Sequence, residues 1–399
     1  MITISPTGFD DVVNIQAVQT ANIGKTIQFL AGNYIIGGSL VLTEHSFLEA
    51  GAIFILGQNA VLSIGNKFIA SQTKHFDTAA TGSKVVLGSV RGQNIICPEW
   101  WGAIPDDTSY TQMVINHKAL QAAFDYATDA HSVMFDAEFA TNAALRFNSG
   151  TGFNVSQARG VAGIRFKMDN SPSVSLLQPY TTGQRSVLDG LRLTVDAGST
   201  FTSGARVKIL NLLGGRWITA KNMQIDFFND FLGVYKIGLE IKGTVANPSF
   251  NNSILENVIN GCNTDLCLAG TSIDANGFDL EVGTVIRGNQ LMSQTTVDWD
   301  INLRLDGCAG IMMSDNIFNQ KGQTGTPSSP VGALNILTDD KCSGLMLSRD
   351  YYDGGKNGRR RIWVTPNTID MRIEETMISA AEVYKQPGAT GITFNGVAI

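Results

Sequence analysis

At 399 residues the chain can bury a large core, and 42 glycines against 10 prolines with only 16% charged residues describe many short strands and tight turns, which excludes a helix bundle. A formal net charge of −6 argues against a nucleic-acid or anionic-membrane surface, and the one basic run, Arg359-Arg360-Arg361, is too short to change that. Five cysteines, an odd number without metal-ligand spacing, point to reduced, buried thiols, and no apolar run is long enough to span a bilayer.

Residues 1–24 form a polar leader with weak helix character, an attachment segment by expectation. Met1-Ile2-Thr3-Ile4-Ser5-Pro6 lacks the charged and apolar regions of a signal peptide, so synthesis in the cytoplasm without export is expected. Residues 25–96 show short apolar alternations such as Thr26-Ile27-Gln28-Phe29-Leu30 and Ala52-Ile53-Phe54-Ile55-Leu56, broken by Gly, Asn or Glu. That pattern predicts a small β-domain. Residues 97–131 hold Cys97-Pro98-Glu99-Trp100-Trp101-Gly102-Ala103, then Asp106-Asp107-Thr108, then a run in which Ala119, Leu120, Ala123, Phe124 and Ala127 share one helical face. Asp106 or Asp107 is placed to cap that helix.

From residue 132 to 350 the β pattern returns with a period near thirty. One unit begins at Gly190, Asn222, Asn257, Asn289, Asn316 and Gly344, with starts 32, 35, 32, 27 and 28 residues apart. A second begins at Arg206, Lys236, Asp265, Asp300 and Ala333, with starts 30, 29, 35 and 33 apart. Two interleaved units that keep phase predict a parallel β-helix with three strands per coil. The Asn and Gly starts belong at bends, where stacked amides can form ladders. Residues 351–399 suggest further strands that close the solenoid or join subunits.

The Pro-Glu-Trp-Trp-Gly-Ala and Asp-Asp-Thr segments followed by a short helix resemble the linker that leads into the right-handed, single-stranded parallel β-helix of pectate-lyase-like proteins, bacteriophage tailspikes above all. The resemblance covers residues 25–135 by motif order and 185–350 by repeat architecture; the acidic-glycine segment usual between Ala and Asp-Asp is shortened here to Ile104-Pro105. It implies an all-β fold with a helix capping the solenoid. It also implies a homotrimeric virion protein, joined to the phage tail or baseplate through its N-terminus and released by lysis, that binds and often cleaves a bacterial capsule, exopolysaccharide or O-antigen. Hydrolysis and β-elimination both occur in the family, as do binders without activity. No catalytic motif of the family can be carried over.

The residues themselves offer no nucleotide, metal or Ser-His-Asp motif, and all four histidines precede the coils, so neither cofactor nor metal is expected. If the second and fourth residues of the second unit point inward, alternation sends Arg206, Lys236, Asp265 and Asp300 outward in one column and Glu240 and Arg304 in another. Adjacent rungs would then place Asp265 and Asp300, with Asp298 close by, at spacings suited to paired-carboxylate glycoside hydrolysis as acid and base or nucleophile. Lys236, Glu240, Arg304 and Arg206 would contact acidic sugars, Trp299 would stack on a ring, and Asp230 belongs to a competing acidic cluster beside Phe227-Phe228. The plainer alternative is an outer face whose charges merely neutralise one another.

Overall fold

The computed structural model describes residues 1–87, 95–127, 132–148, 152–155, 162–181, 185–229, 231–270, 281–293, 300–320, 334–339, 341–353 and 361–399. The chain forms the expected parallel β-helix, with three strands to a coil and each strand paired in parallel with its counterpart one coil on. Its three sheets begin at Ile95–Ile96, Glu138–Thr141 and Leu145–Phe147. The second sheet counts eight strands and the third nine among the described residues. Stacked coils bury apolar side chains in columns: Phe139, Ile164, Leu193, Ile225, Ile259, Leu291 and Phe318 succeed one another in register up the second sheet. All are buried, and each fully buried large apolar side chain contributes about 1.5–3 kcal/mol.

The small N-terminal unit is itself a short parallel stack. Ile27–Phe29, Ser46–Leu48 and Phe68–Ala70 pair in one sheet, with two further three-stranded sheets closing the sides. The first residues belong to it, because Ile2–Ile4 adds a parallel strand beside Ile27–Phe29 and helix α1, Val12–Ala21, buries Ile15 against it. Past residue 350 the solenoid continues: Ile362–Val364 and Val383–Lys385 extend the third sheet and Ile369–Glu374 the first. An antiparallel pair, Thr393–Phe394 with Val397–Ala398, then ends the first sheet.

Between the two stacks, Pro98–Trp101 forms one 3-10 turn closed by Gly102 at φ +91°, where a side chain would be strained. Helix α2, Tyr110–Tyr126, is capped neither by Asp106 nor by Asp107 but by Ser109, whose hydroxyl accepts the Gln112 N–H at 3.3 Å, while Asp107 accepts the Ser109 N–H at 2.8 Å. The predicted face is the buried one, with Ala119, Leu120, Ala123 and Phe124 in the core. Asn116 fixes the helix in place. Its side chain accepts from the Ile104 N–H at 2.9 Å and donates to the carbonyls of Ile104 and Ala140 at 3.0 and 3.1 Å. The Asn148 amide in turn caps the far end, donating to the carbonyls of Phe124, Asp125 and Ala127. An aromatic series joins the cores, running Phe29–Phe54–Phe76–Trp101–Tyr126 with successive ring centroids 5.1, 6.4, 5.3 and 5.4 Å apart.

The Asn starts form the anticipated ladder. Each side-chain oxygen accepts both the backbone and amide N–H of the asparagine one rung earlier, from Asn289 to Asn257, Asn316 to Asn289 and Asp350 to Asn316, all at 2.9–3.0 Å. The left-handed bend lies one residue before each rung, at Glu256, Gly288, Asp315 and Arg349. Asn222 sits at such a bend, with φ +56°, rather than in the ladder.

Candidate functional site on the outer face of the third sheet

Simple alternation does not describe the third sheet. In every long coil two consecutive residues point inward: Ile209 with Leu210, Asp265 with Leu266, Asn302 with Leu303, Asn335 with Ile336, all buried. The position of Gly238, beside Leu239, obeys the same rule, since a Cβ there would strike Ile259 and Cys262. This bend flips the side-chain phase along each strand, so the inward and outward columns expected from strict alternation are corrected on its N-terminal side. Ile237 packs outside the core with Tyr235, Cys267 and Ala269, and Ile301 and Leu334 pack outside it with Trp363.

Lys236, Asp265 and Asp300 therefore lie inside the solenoid wall, exposed by only 1%, 0% and 0%. They belong to an amide-rich corner between the second and third sheets. Asn263 accepts the Lys236 backbone N–H at 2.8 Å and donates to Asp300 at 3.2 Å; Asn302 donates to Asp265 at 2.7 Å and receives from Asn335 at 2.9 Å. Burial, with the Asp300 charge added, pushes the Asp265 carboxyl well above the usual carboxylate range. A polymer on the surface cannot reach these groups. Asp298, Trp299 and Asp230 lie outside the described residues.

Arg206, Glu240 and Arg304 do face outward, and they converge. Between them lies a depression of about 150 Å³ lined also by Lys208, Tyr235, Lys242, Thr264, Cys267, Ala269 and Asp306. Its origin is a difference in side-chain length between rungs. Register aligns Glu240, Cys267 and Arg304 in one outward column and Lys242, Ala269 and Asp306 in the next. The short Cys267 and Ala269 leave a gap one rung wide between two rungs of long charged side chains. Across it Glu240 faces Arg304, and Lys242 faces Asp306, which sets charges of opposite sign crosswise.

Glu240 is 4% exposed and paired with Lys208. Arg304 holds Asp339 at 2.8 Å and Asp306 at 3.4 Å. Tyr235 shares a hydrogen bond of 2.7 Å with Thr264 and lies under the Arg206 guanidinium, 5.3 Å from the ring centroid. Burial pushes the Cys267 thiol up to about 12, so the floor of the depression carries no thiolate near neutrality. Lys208, Lys242 and Asp306 were not singled out from the sequence; Lys242 and Asp306 lie two residues past the repeating unit, in the same outward phase as Glu240 and Arg304. Asp226, in the competing acidic cluster, is buried and accepts from Gln224 at 2.6 Å. Among the described residues no group of three or more His, Cys, Asp or Glu side chains could hold a metal ion, and no helix is long and apolar enough to cross a membrane.

No protein-family model and no curated protein matches the chain. Solved structures similar to it include the Dettilon tailspike protein gp208, at 13% identity and a TM-score of 0.42 over 98% of this chain and 68% of that one. A tailspike of Acinetobacter phage AS12, gp42, is similar at 14% identity and a TM-score of 0.37, over 76% of this chain and 63% of that one. The family 28 exopolygalacturonase of Yersinia enterocolitica shows 12% identity and a TM-score of 0.38, over 77% and 79%.

Proposed function

We propose that this chain is a phage tailspike that binds and depolymerises a bacterial surface polysaccharide, by glycoside hydrolysis, in the depression on the outer face of the third sheet. The observation that carries this reading is the rung-wide gap with Glu240 and Asp306 on opposite walls and four cations, Arg206, Lys208, Lys242 and Arg304, around it. Four cations against Glu240, Asp306 and the Asp339 that Arg304 holds leave positive charge in excess, which favours a polymer bearing acidic sugars.

Glu240 and Asp306 are two rungs and two residues apart, about 12 Å between Cα atoms on sheet spacing. From there the carboxyls can reach the roughly 6.5–9.5 Å separation that leaves room for a water, which is the inverting arrangement. Glu240, buried and beside Lys208, would serve as one member of the acid and base pair and Asp306 as the other. One protonates the departing glycosidic oxygen while the other takes a proton from the attacking water. The virion setting, the trimer and attachment through the N-terminus belong to the same proposal. Its support is the surface around α1, where the apolar side chains of Phe9, Val13 and Ile23 are 80%, 75% and 78% exposed, as they would be where a protein neighbour covers them.

The test is incubation with a panel of capsules and O-antigens, read by mass spectrometry of released sugars and by absorbance of unsaturated uronates. Hydrolysis releases saturated oligosaccharides, and Glu240→Gln or Asp306→Asn should lower that release by at least about a hundredfold with the fold intact. Full activity in both variants would remove this site. A second reading, adhesion without cleavage, is favoured by the ion pairs that already engage both carboxylates; it requires bound polymer and no released sugar.

A further inference from the structure

A second, larger cavity belongs to neither the depression nor its sheet. A cleft of about 590 Å³ opens where the N-terminal stack meets α2, and Trp101, the second tryptophan of the Pro-Glu-Trp-Trp segment, forms part of its wall. That volume lies within the range of small-molecule sites. We propose that this cleft is a second carbohydrate subsite, one that takes an uncharged sugar unit and works independently of the Glu240 depression.

Three observations favour that ligand class. The lining combines aromatic and polar groups: Trp101 and Tyr126 supply the aromatic wall, while Lys74, Asp77, His117, Lys118, Gln121 and Asp125 supply donors and acceptors. A pyranose has the matching character, with C–H faces that lie on rings and hydroxyls that both donate and accept. The charges balance, because two lysines meet two carboxylates and burial lowers the His117 pKa, keeping its ring neutral near pH 7. Lys74 and Asp77 are already paired at 2.9 Å, and Asp125 already accepts from Gln121 at 2.8 Å. Such a site gives little to a phosphate or a polyanion, which need unbalanced positive charge.

The third observation concerns Trp101. Its indole stacks on Tyr126 at 5.4 Å with planes 15° apart, and its N–H is buried with no acceptor. An unmet buried donor costs about 1–3 kcal/mol. Packing supplies no acceptor for it on the wall of this cleft, whereas a small shift of the indole on binding would bring the N–H to a sugar oxygen or to a water the sugar orders.

Saturation-transfer NMR tests the proposal with galactose, glucose, N-acetylglucosamine and rhamnose as separate probes on the full chain. At least one should receive saturation from the protein. Ala79→Trp, on the exposed wall contributed by the N-terminal stack, and Ala122→Trp, on the helix wall, should each reduce that signal at least fivefold, while Glu240→Gln leaves it unchanged. Thermal unfolding of each variant confirms the fold; if Ala122→Trp is unstable, Ala79→Trp carries the test alone. A signal lost only in Glu240→Gln would assign the sugar to the depression and overturn the second subsite. Absence of signal from all four probes, or a signal indifferent to Ala79→Trp, would overturn it as well.

Discussion

Asp265 and Asp300 carry the chemical consequence of where a side chain points. Each accepts a hydrogen bond from an asparagine one coil away, inside the wall, and an asparagine in either place keeps an oxygen for that donor. Asp265→Asn should therefore change stability by no more than about 1 kcal/mol, since burial already favours the uncharged carboxyl that the amide imitates. Release of sugar from the polysaccharide should stay within about twofold of the parent for both variants. A folded Asp300→Asn protein without activity would return the chemistry to the interior. Removing Lys236 is a different matter, because its charge acts on the buried Asp265; a buried network survives intact or fails together.

Strands and helices show what the sequence made legible and what it hid. The repeat period, the amphipathic face of α2 and the asparagine ladder are local or periodic properties, so the chain displays them without coordinates. The third sheet was misjudged because period-two alternation assumes a straight strand. Two apolar neighbours such as Ile209-Leu210 were a signal of the bend, but Gly238, Asp265, Asn302 and Asn335 occupy the same inward position in later coils and disguise it. Apolarity marks an interior position only where the interior is apolar. Glu240 and Arg304 were placed correctly because they lie beyond the bend, where the phase is regular again. For α2, the element depends on one side chain: Asn116→Ala would leave the Ile104 and Ala140 groups without their partner and should cost about 2–4 kcal/mol, measured by denaturant unfolding.

Protonation belongs to the molecule as a whole, since stability integrates every site. Asp350 closes the asparagine ladder, and burial raises its carboxyl to about 7. Burial, with Asp136 beside it, raises Glu99 to about 7 as well. An unfolded carboxyl titrates near ~4. Below that pH both states are protonated and these groups contribute nothing; between about 4 and 7 the folded state keeps protons that the unfolded state releases, so stability falls as pH rises, and above 7 the full penalty stands. His75 and His117, whose pKa values burial lowers, act in the opposite sense below about 6.5. Comparing parent with Asp350→Asn cancels them. The variant keeps the acceptor that Asn316 needs, so its gain in thermal midpoint should be larger at pH 8 than at pH 5, and an equal gain at both would refute the assignment.

Pairing between coils has one more consequence. Ile237 bonds to a strand 27 residues on, at Thr264, and Thr264 to one 37 residues further, at Ile301. These coil strands cannot hold their shape before a distant stretch arrives, which makes assembly slow. The same rule applies in reverse, because a rung in the middle is clamped from above and below and leaves only when its neighbours do. Endurance in such a molecule is a matter of waiting time, set by the height of the barrier to unravelling more than by the balance between folded and unfolded forms.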